Sequence, residues 1–206
     1  MLIKVSNPIM EHNLAQFRDK NTCSYNARKN VENISYGLAG EVSNLLMKRS
    51  IDIETPLGIA EGTFINDKIE LIPILRAGLA MLNPFVEFFP NAHIGLVACE
   101  RHHDLSVALL YEKVSHSLEN STVIILDPML ATGNTISSII DLAEGRNAKK
   151  IIIVSILAVQ KGIQKIQGKG DYTIVTVRDN EGLDANSYVY PGVGDSGDRL
   201  YGSVEK

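Results

Sequence analysis

The residues best suited to chemistry are one carboxylate and the small polar run behind it. In "ILDPMLATGNT", Asp127 ends an aliphatic stretch, and Ala131, Thr132, Gly133, Asn134 and Thr135 precede a helical pattern. The first turn of a helix leaves backbone N–H groups unpaired and carries partial positive charge. Small residues there let those groups close on a phosphate. The hydroxyls of Thr132 and Thr135 add donors. Asp127 would repel phosphate, but it can accept hydrogen bonds from sugar hydroxyls. A carboxylate beside a phosphate cradle is a sugar-phosphate signature. The same residues also suit a plain capped helix after a strand, with Asp127 merely in the loop, and chemistry alone leaves both readings open.

The elements that must position these groups are aliphatic runs: Ile69–Leu75, His93–Cys99, Thr122–Asp127, Lys150–Val159 and Tyr172–Val177. Continuous β-branched runs of this kind suit parallel strands covered on both faces. Helical segments lie between them at Gly78–Phe89, Thr135–Glu144 and Gln160–Gln167, with Ile136, Ile139, Ile140 and Ala143 on one face and Gly145 placed as a C′ glycine. The chain from about Ile9 to Met47 reads as mainly helical, and Thr55–Lys68 as a loop or short hairpin. The alternation predicts an α/β fold with right-handed crossovers, and ligands in such sheets sit outside the C-terminal strand ends. Arg76, Arg101 and Asp127 each fall just past a predicted strand.

Composition narrows the function classes. With 206 residues, 45% of them apolar, the chain suits one domain over 1–206 with a sizeable core. A net charge of −4 argues against nucleic acid or a membrane surface as partner. Cys23 and Cys99 form no zinc or disulfide pattern, no run is long and apolar enough for a membrane span, and no signal peptide is visible, so a cytoplasmic protein is expected. "GVGDSG", Gly192–Gly197, satisfies the dinucleotide spacing, but only nine residues follow it, too few for the required helix and strand. No Walker-type phosphate loop occurs, and the adjacent His102 and His103 suit a polar loop rather than a metal site.

Three blocks carry a resemblance. "ILDPMLATGNT" is similar to the phosphoribosyl diphosphate (PRPP) motif of type I phosphoribosyltransferases, in the uracil form that has one acid rather than two. "PILRAGLAM", Pro73–Met81, resembles that family's diphosphate-binding loop, and "YVYPGVGDSGDRLYG", Tyr188–Gly202, its uracil-binding segment. The order and spacing of the blocks extend the resemblance over the whole chain. It implies a mainly parallel sheet flanked by helices, with an N-terminal helical segment and a C-terminal base-binding hood.

The resemblance further implies a pentosyltransferase that makes UMP and diphosphate from uracil and PRPP. PRPP contacts would fall on Arg76, Arg101, Asp127, Pro128, Met129, Leu130, Ala131, Thr132, Gly133, Asn134, Thr135 and Asp195. Uracil contacts would fall on Val189, Gly194, Asp195 and Ser196. Arg76 and Asp195 are the candidate catalytic groups. Arg101 would open a mobile flap over Arg101–Lys113. Mg²⁺ is expected mainly through substrate oxygens, with no dedicated protein metal site; a homo-oligomer, a dimer or larger, and a possible GTP effector are also implied. Each block makes chemical sense on its own: diphosphate suits a fork-shaped, permanently charged donor, and a glycine-rich turn lets backbone groups read a flat base edge-on.

Asn134 stands where the family usually has glycine, Asp184 where asparagine is common, Ser187 where glycine is common, and Tyr190 replaces a smaller aliphatic residue. Two rivals remain open at this stage. One is a phosphoribosyltransferase for another base; the other is a non-catalytic nucleotide- or RNA-binding regulator on the same fold.

Overall fold

The computed structural model describes residues 1–101 and 107–203; nothing is described of the side chains of Arg101, Asn180 and Glu181. The helices are α1 (Pro8–Arg18), α2 (Ser24–Asn44), α3 (Leu79–Phe88), α4 (Asn134–Gly145), α5 (Gln160–Lys169) and α6 (Ser196–Tyr201). The strands are β1 (Leu2–Lys4), β2 (Lys48–Thr55), β3 (Gly58–Ile65), β4 (Lys68–Leu75), β5 (His93–Ile94), β6 (Leu96–Arg101), β7 (Val107–Lys113), β8 (Ser121–Leu126), β9 (Met129–Leu130), β10 (Lys150–Val159), β11 (Thr173–Leu183) and β12 (Val189–Tyr190). The main sheet runs β1-β11-β10-β8-β4-β6-β7, parallel except for β7, with β5, β9 and β12 attached to β4, β10 and β11.

Two buried clusters cover the two faces of this sheet. Along β10, Ile152, Val154 and Ile156 join the cluster that includes α1, α2 and α3, while Ile151 and Ile153 join the one that includes α4 and α5. Side chains alternate across a strand, so a strand apolar at every position must be sandwiched. That is why the run KIIIVSILAV reads without alternation.

After β4 the chain crosses through α3 to β6 on one side, and after β8 it crosses through α4 to β10 on the other. Strand order therefore reverses between β4 and β8. A crevice forms at such a switch point because the two loops leave in opposite directions.

The structure refines several expectations and corrects others. The Ile9–Met47 region is two helices, broken around Asp19–Cys23, and ends before β2. Thr55–Lys68 is one arm of a hairpin that also takes in Lys48–Glu54; β2 and β3 pair in register from Lys48↔Ile65 to Thr55↔Gly58. His93–Cys99 is interrupted at Gly95, and the Tyr172–Val177 strand extends to Leu183. The expected flap, Arg101–Lys113, is partly strand: Val107–Lys113 pairs antiparallel with β6. The rest of it, residues 102–106 with His102 and His103, lies outside the described residues. Gly145 is the last helical residue rather than the left-handed cap. Asn147, at φ 63°, takes that role, with Asn147 N–H donating to the Glu144 carbonyl and Ala148 N–H to the Ala143 carbonyl.

Candidate active site

The loop after β8 is built from the backbone outward. Asp127 N–H donates to the Val154 carbonyl at 3.1 Å, which fixes the carboxylate at the strand end. The Pro128 carbonyl then accepts from both Ile156 and Leu157 N–H at 3.0 Å, and Met129 and Leu130 pair beside Leu157 and Ala158. Pro128–Ala131 is therefore not a plain turn, because its middle is a short strand. Asp127 Oδ1 also accepts from Met129 N–H at 3.3 Å.

The cradle follows. Gly133 caps α4 with φ 79° and ψ 0°, a left-handed conformation that glycine adopts at little cost. The left-handed position thus belongs to Gly133, and Asn134 is the first helical residue. Its side-chain oxygen accepts from Lys165 Nζ. Gly162, in α5, packs directly beneath: a Cβ there would lie 2.5 Å from the Ala131 carbonyl oxygen, and one on Gly133 would lie 3.1 Å from the Gly162 carbonyl oxygen. Thr132 is buried, and the first turn of α4 holds no acidic residue to compete with an anion.

The loop after β4 sits against this one. Gly78 N–H donates to the Ile74 carbonyl at 2.8 Å, and a Cβ on Gly78 would lie 2.3 Å from the carbonyl oxygen of Leu126, the residue before Asp127. Only glycine allows that approach. The Leu75–Arg76 peptide is cis. Arg76 is partly exposed and bonds to the C-terminal segment: Nη2 to Asp198 Oδ1 at 2.7 Å, Nη1 to the Gly202 carbonyl at 3.1 Å. β6 also ends here, and the Cys99 thiol on it has its pKa pushed up, mostly by burial and further by the charge of Asp127. Arg101 ends the same strand, with its side chain outside the described residues.

The third part is the C-terminal segment. Val189 is buried in β12, where it pairs with Leu183. Gly194 is left-handed at φ 76°, and Asp195 caps α6 by accepting from Asp198 N–H at 3.0 Å. Tyr188 Oη reaches Asp195 Oδ2 at 3.4 Å. Gly194, Asp195 and Asp198 line a cleft of about 320 Å³ together with Lys20, Cys23 and Ser24. Ser196 begins α6, so the "GVGDSG" turn does enter a helix, but one of only six residues with no described strand after it.

Long-range hydrogen bonds hold this segment in place. Arg199 Nη2 donates to the carbonyls of Phe17 and Asp19 at 3.0 and 2.8 Å, closing the C-terminal end of α1. Arg18 donates to the Pro191 carbonyl at 3.2 Å, and Arg28 donates to the Leu200 carbonyl and lies 5.8 Å from the ring centre of Tyr201. Sequence reasoning assigned no role to Arg18, Arg28, Asp198 or Tyr188. The only signal for Asp198 was its place in a compact run of acids, glycines and an arginine.

Two departures find an explanation. Asp184 Oδ1 accepts from the N–H groups of Asn186 and Tyr188 at 2.9 Å, a turn that aspartate closes as well as asparagine. Ser187 occupies φ 63°, where glycine would be unstrained. Tyr190 is exposed.

The structure thus brings Arg76, Asp127 and the 131–135 cradle together at one end of the sheet, and Arg76 joins them to Asp198 and Gly202, just after the Gly194–Ser196 turn. Among the described residues no group of three or more His, Cys, Asp or Glu side chains is arranged to hold a metal ion. No described helix is long and apolar enough to cross a membrane.

Comparison with known proteins identifies the family. A uracil phosphoribosyltransferase of Chlamydia muridarum is 39% identical over 202 residues, covering 97% of this chain and 67% of the relative. One from Dictyoglomus thermophilum is 35% identical over 206 residues, covering 98% of this chain and all of the relative. A solved structure from Aquifex aeolicus superposes with a TM-score of 0.91 at 29% identity, covering 98% of both chains. A hypoxanthine phosphoribosyltransferase from Staphylococcus aureus, at 16% identity and a TM-score of 0.52 over 74% of this chain and 73% of its own, shares the fold alone. The α/β sheet flanked by helices is thus the type I phosphoribosyltransferase fold that the motifs implied. A family model for uracil phosphoribosyltransferase matches residues 4–203, and the chain belongs to that family.

Proposed function

We propose that residues 1–206 act as one phosphoribosyltransferase domain that converts uracil and PRPP to UMP and diphosphate. The observation that carries this reading is the contact between the two switch-point loops: Gly78 against Leu126 sets the Arg76 loop beside Asp127. PRPP has three polar parts, and three donor or acceptor sets match them in chemistry. The 131–135 cradle takes the 5′-phosphate, Asp127 accepts from the ribose hydroxyls, and Arg76, with Arg101, takes the diphosphate.

Neutral uracil N1 is a weak nucleophile, so departure of diphosphate leads and the anomeric carbon gains cationic character. Arg76 stabilises the charge growing on the leaving group. The cradle and Asp127 fix the sugar so that N1, held by the Val189 and Gly194–Ser196 backbone, stands in line with the bond that breaks. Asp195, which on this reading would lie near both base and PRPP, is the candidate to receive the N1 proton.

The donor set fits Mg²⁺ of the kind that keeps substrate oxygens and water as most of its ligands. Asp195 is exposed, and among the described residues no cluster of three or more His, Cys, Asp or Glu side chains competes to hold the ion. Bound with PRPP, Mg²⁺ would neutralise part of the diphosphate charge.

A cytoplasmic setting fits soluble substrates and two free thiols, Cys23 and Cys99. A homo-oligomer is supported by the β2–β3 hairpin, whose Ile53, Leu57, Ile59 and Phe64 are exposed; light scattering tests it, and a monomer at working concentration would refute it. Comparing rates with and without GTP tests the effector, and equal rates would remove it.

The function itself is tested by diphosphate release from PRPP and Mg²⁺ with uracil, cytosine, orotate, adenine and hypoxanthine offered separately. Turnover with uracil alone is expected. Turnover with another base overturns the specificity, and none with any base favours the regulator.

A further inference from the structure

We propose that Asp198 is a positioning residue that latches Arg76 in the empty enzyme and gives it up to the diphosphate. This rests on the reading of Arg76 as the diphosphate donor. Two groups of the C-terminal segment already occupy the Arg76 guanidinium: the Asp198 carboxylate at 2.7 Å and the Gly202 carbonyl at 3.1 Å. The guanidinium lies over Gly197, where a Cβ would be in ordinary contact with Nη2 at 3.5 Å and Nε at 3.8 Å and would crowd only Asp195 Oδ1, at 3.2 Å.

Diphosphate binds a guanidinium best through the same paired N–H edge that a carboxylate uses. Asp198 at Nη2 and the Gly202 carbonyl at Nη1 compete with it for those N–H groups, and the Asp198 charge would repel it. The ion pair is about two-fifths exposed on both sides, 41% and 39%. An exposed pair of this kind shifts an equilibrium by at most about five-fold, so the exchange is readily reversible.

The latch also reaches the base turn. Asp198 N–H donates to Asp195 Oδ1 at 3.0 Å, and Arg199 N–H to the Asp195 carbonyl at 2.9 Å. One turn of α6 therefore lies between the carboxylate nearest the base and the arginine nearest the diphosphate.

The test is titration calorimetry of Mg²⁺-loaded inorganic diphosphate and of Mg²⁺-PRPP into wild type, Asp198→Asn and Asp198→Glu, with melting temperatures measured alongside. Asp198→Asn is expected to bind both ligands about two- to five-fold more tightly at low salt, the gain shrinking at high salt as the charge is screened. Its KM for PRPP should fall in step, and Asp198→Glu should stay near wild type. If Asp198 only supported Arg76 structurally, Asp198→Asn would bind more weakly; unchanged or weaker binding in a folded variant overturns the latch. Should Asp198→Asn melt early, Asp198→Ser carries the same test. Failure of the diphosphate reading looks different: Arg76→Ala would then bind both ligands as tightly as wild type.

Discussion

The phosphate cradle and the base-binding segment sit at one end of one sheet, yet they are held in different ways. The cradle, Ala131–Thr135, is locked by backbone packing: Gly133 and Gly162 touch, and Pro128 is pinned to β10 by two hydrogen bonds. The segment from Val189 to Gly202 is held by side chains from far along the chain, Arg18 and Arg28, and by its own Arg199 reaching α1. On the proposed reading, the group common to every PRPP reaction would meet the part packed into the core, and the base would meet the part attached to it by side chains.

Perturbations that break this contrast fall in order of size. Gly162→Ala should be the most damaging, because its Cβ would meet the Ala131 carbonyl oxygen at 2.5 Å. We expect a stability loss of about 1–3 kcal/mol in denaturant melts and a loss of Mg²⁺-PRPP affinity of at least about ten-fold by calorimetry. Asp127→Asn should raise KM for PRPP about ten-fold in steady-state assays, through loss of charged hydrogen bonds to the ribose, and leave KM for uracil nearly unchanged. Arg199→Ala removes two bonds to the end of α1 and should raise KM for uracil about five-fold, with PRPP affinity little changed. Ser187→Gly should sharpen the picture of the segment as strained, raising its stability by about 1 kcal/mol in a thermal melt. Cys99 should label slowly with a maleimide near neutral pH. Its raised pKa keeps the thiol protonated there, so its rate should climb only at pH values above those where a free thiol ionises, whereas exposed Cys23 labels first.

The same contrast explains what could be read in the sequence. The cradle was legible because its determinants are local: an aliphatic strand, one carboxylate, small residues and a helical repeat fall within a few residues of each other. β10 matched its expected limits because burial on both faces leaves an unbroken apolar run. The β2–β3 hairpin was less legible because it packs on little else and so mixes charged and apolar residues. Asn134 stands where the family usually has glycine, which leaves open in the sequence how the turn closes; Gly133, one residue earlier, holds the left-handed conformation. The tethers of the C-terminal segment left no local trace. Arg28 to Leu200 and Arg76 to Asp198 join residues more than 120 positions apart, and a lone arginine in a helix looks the same whether it faces solvent or closes a distant carbonyl.

The most direct test of this division of labour is a crossed pair of Michaelis constants, measured for Asp127→Asn and Arg199→Ala with each substrate varied against saturating levels of the other. The account predicts that Asp127→Asn moves KM for PRPP alone and that Arg199→Ala moves KM for uracil alone. Equal movement of both constants in either variant would contradict it.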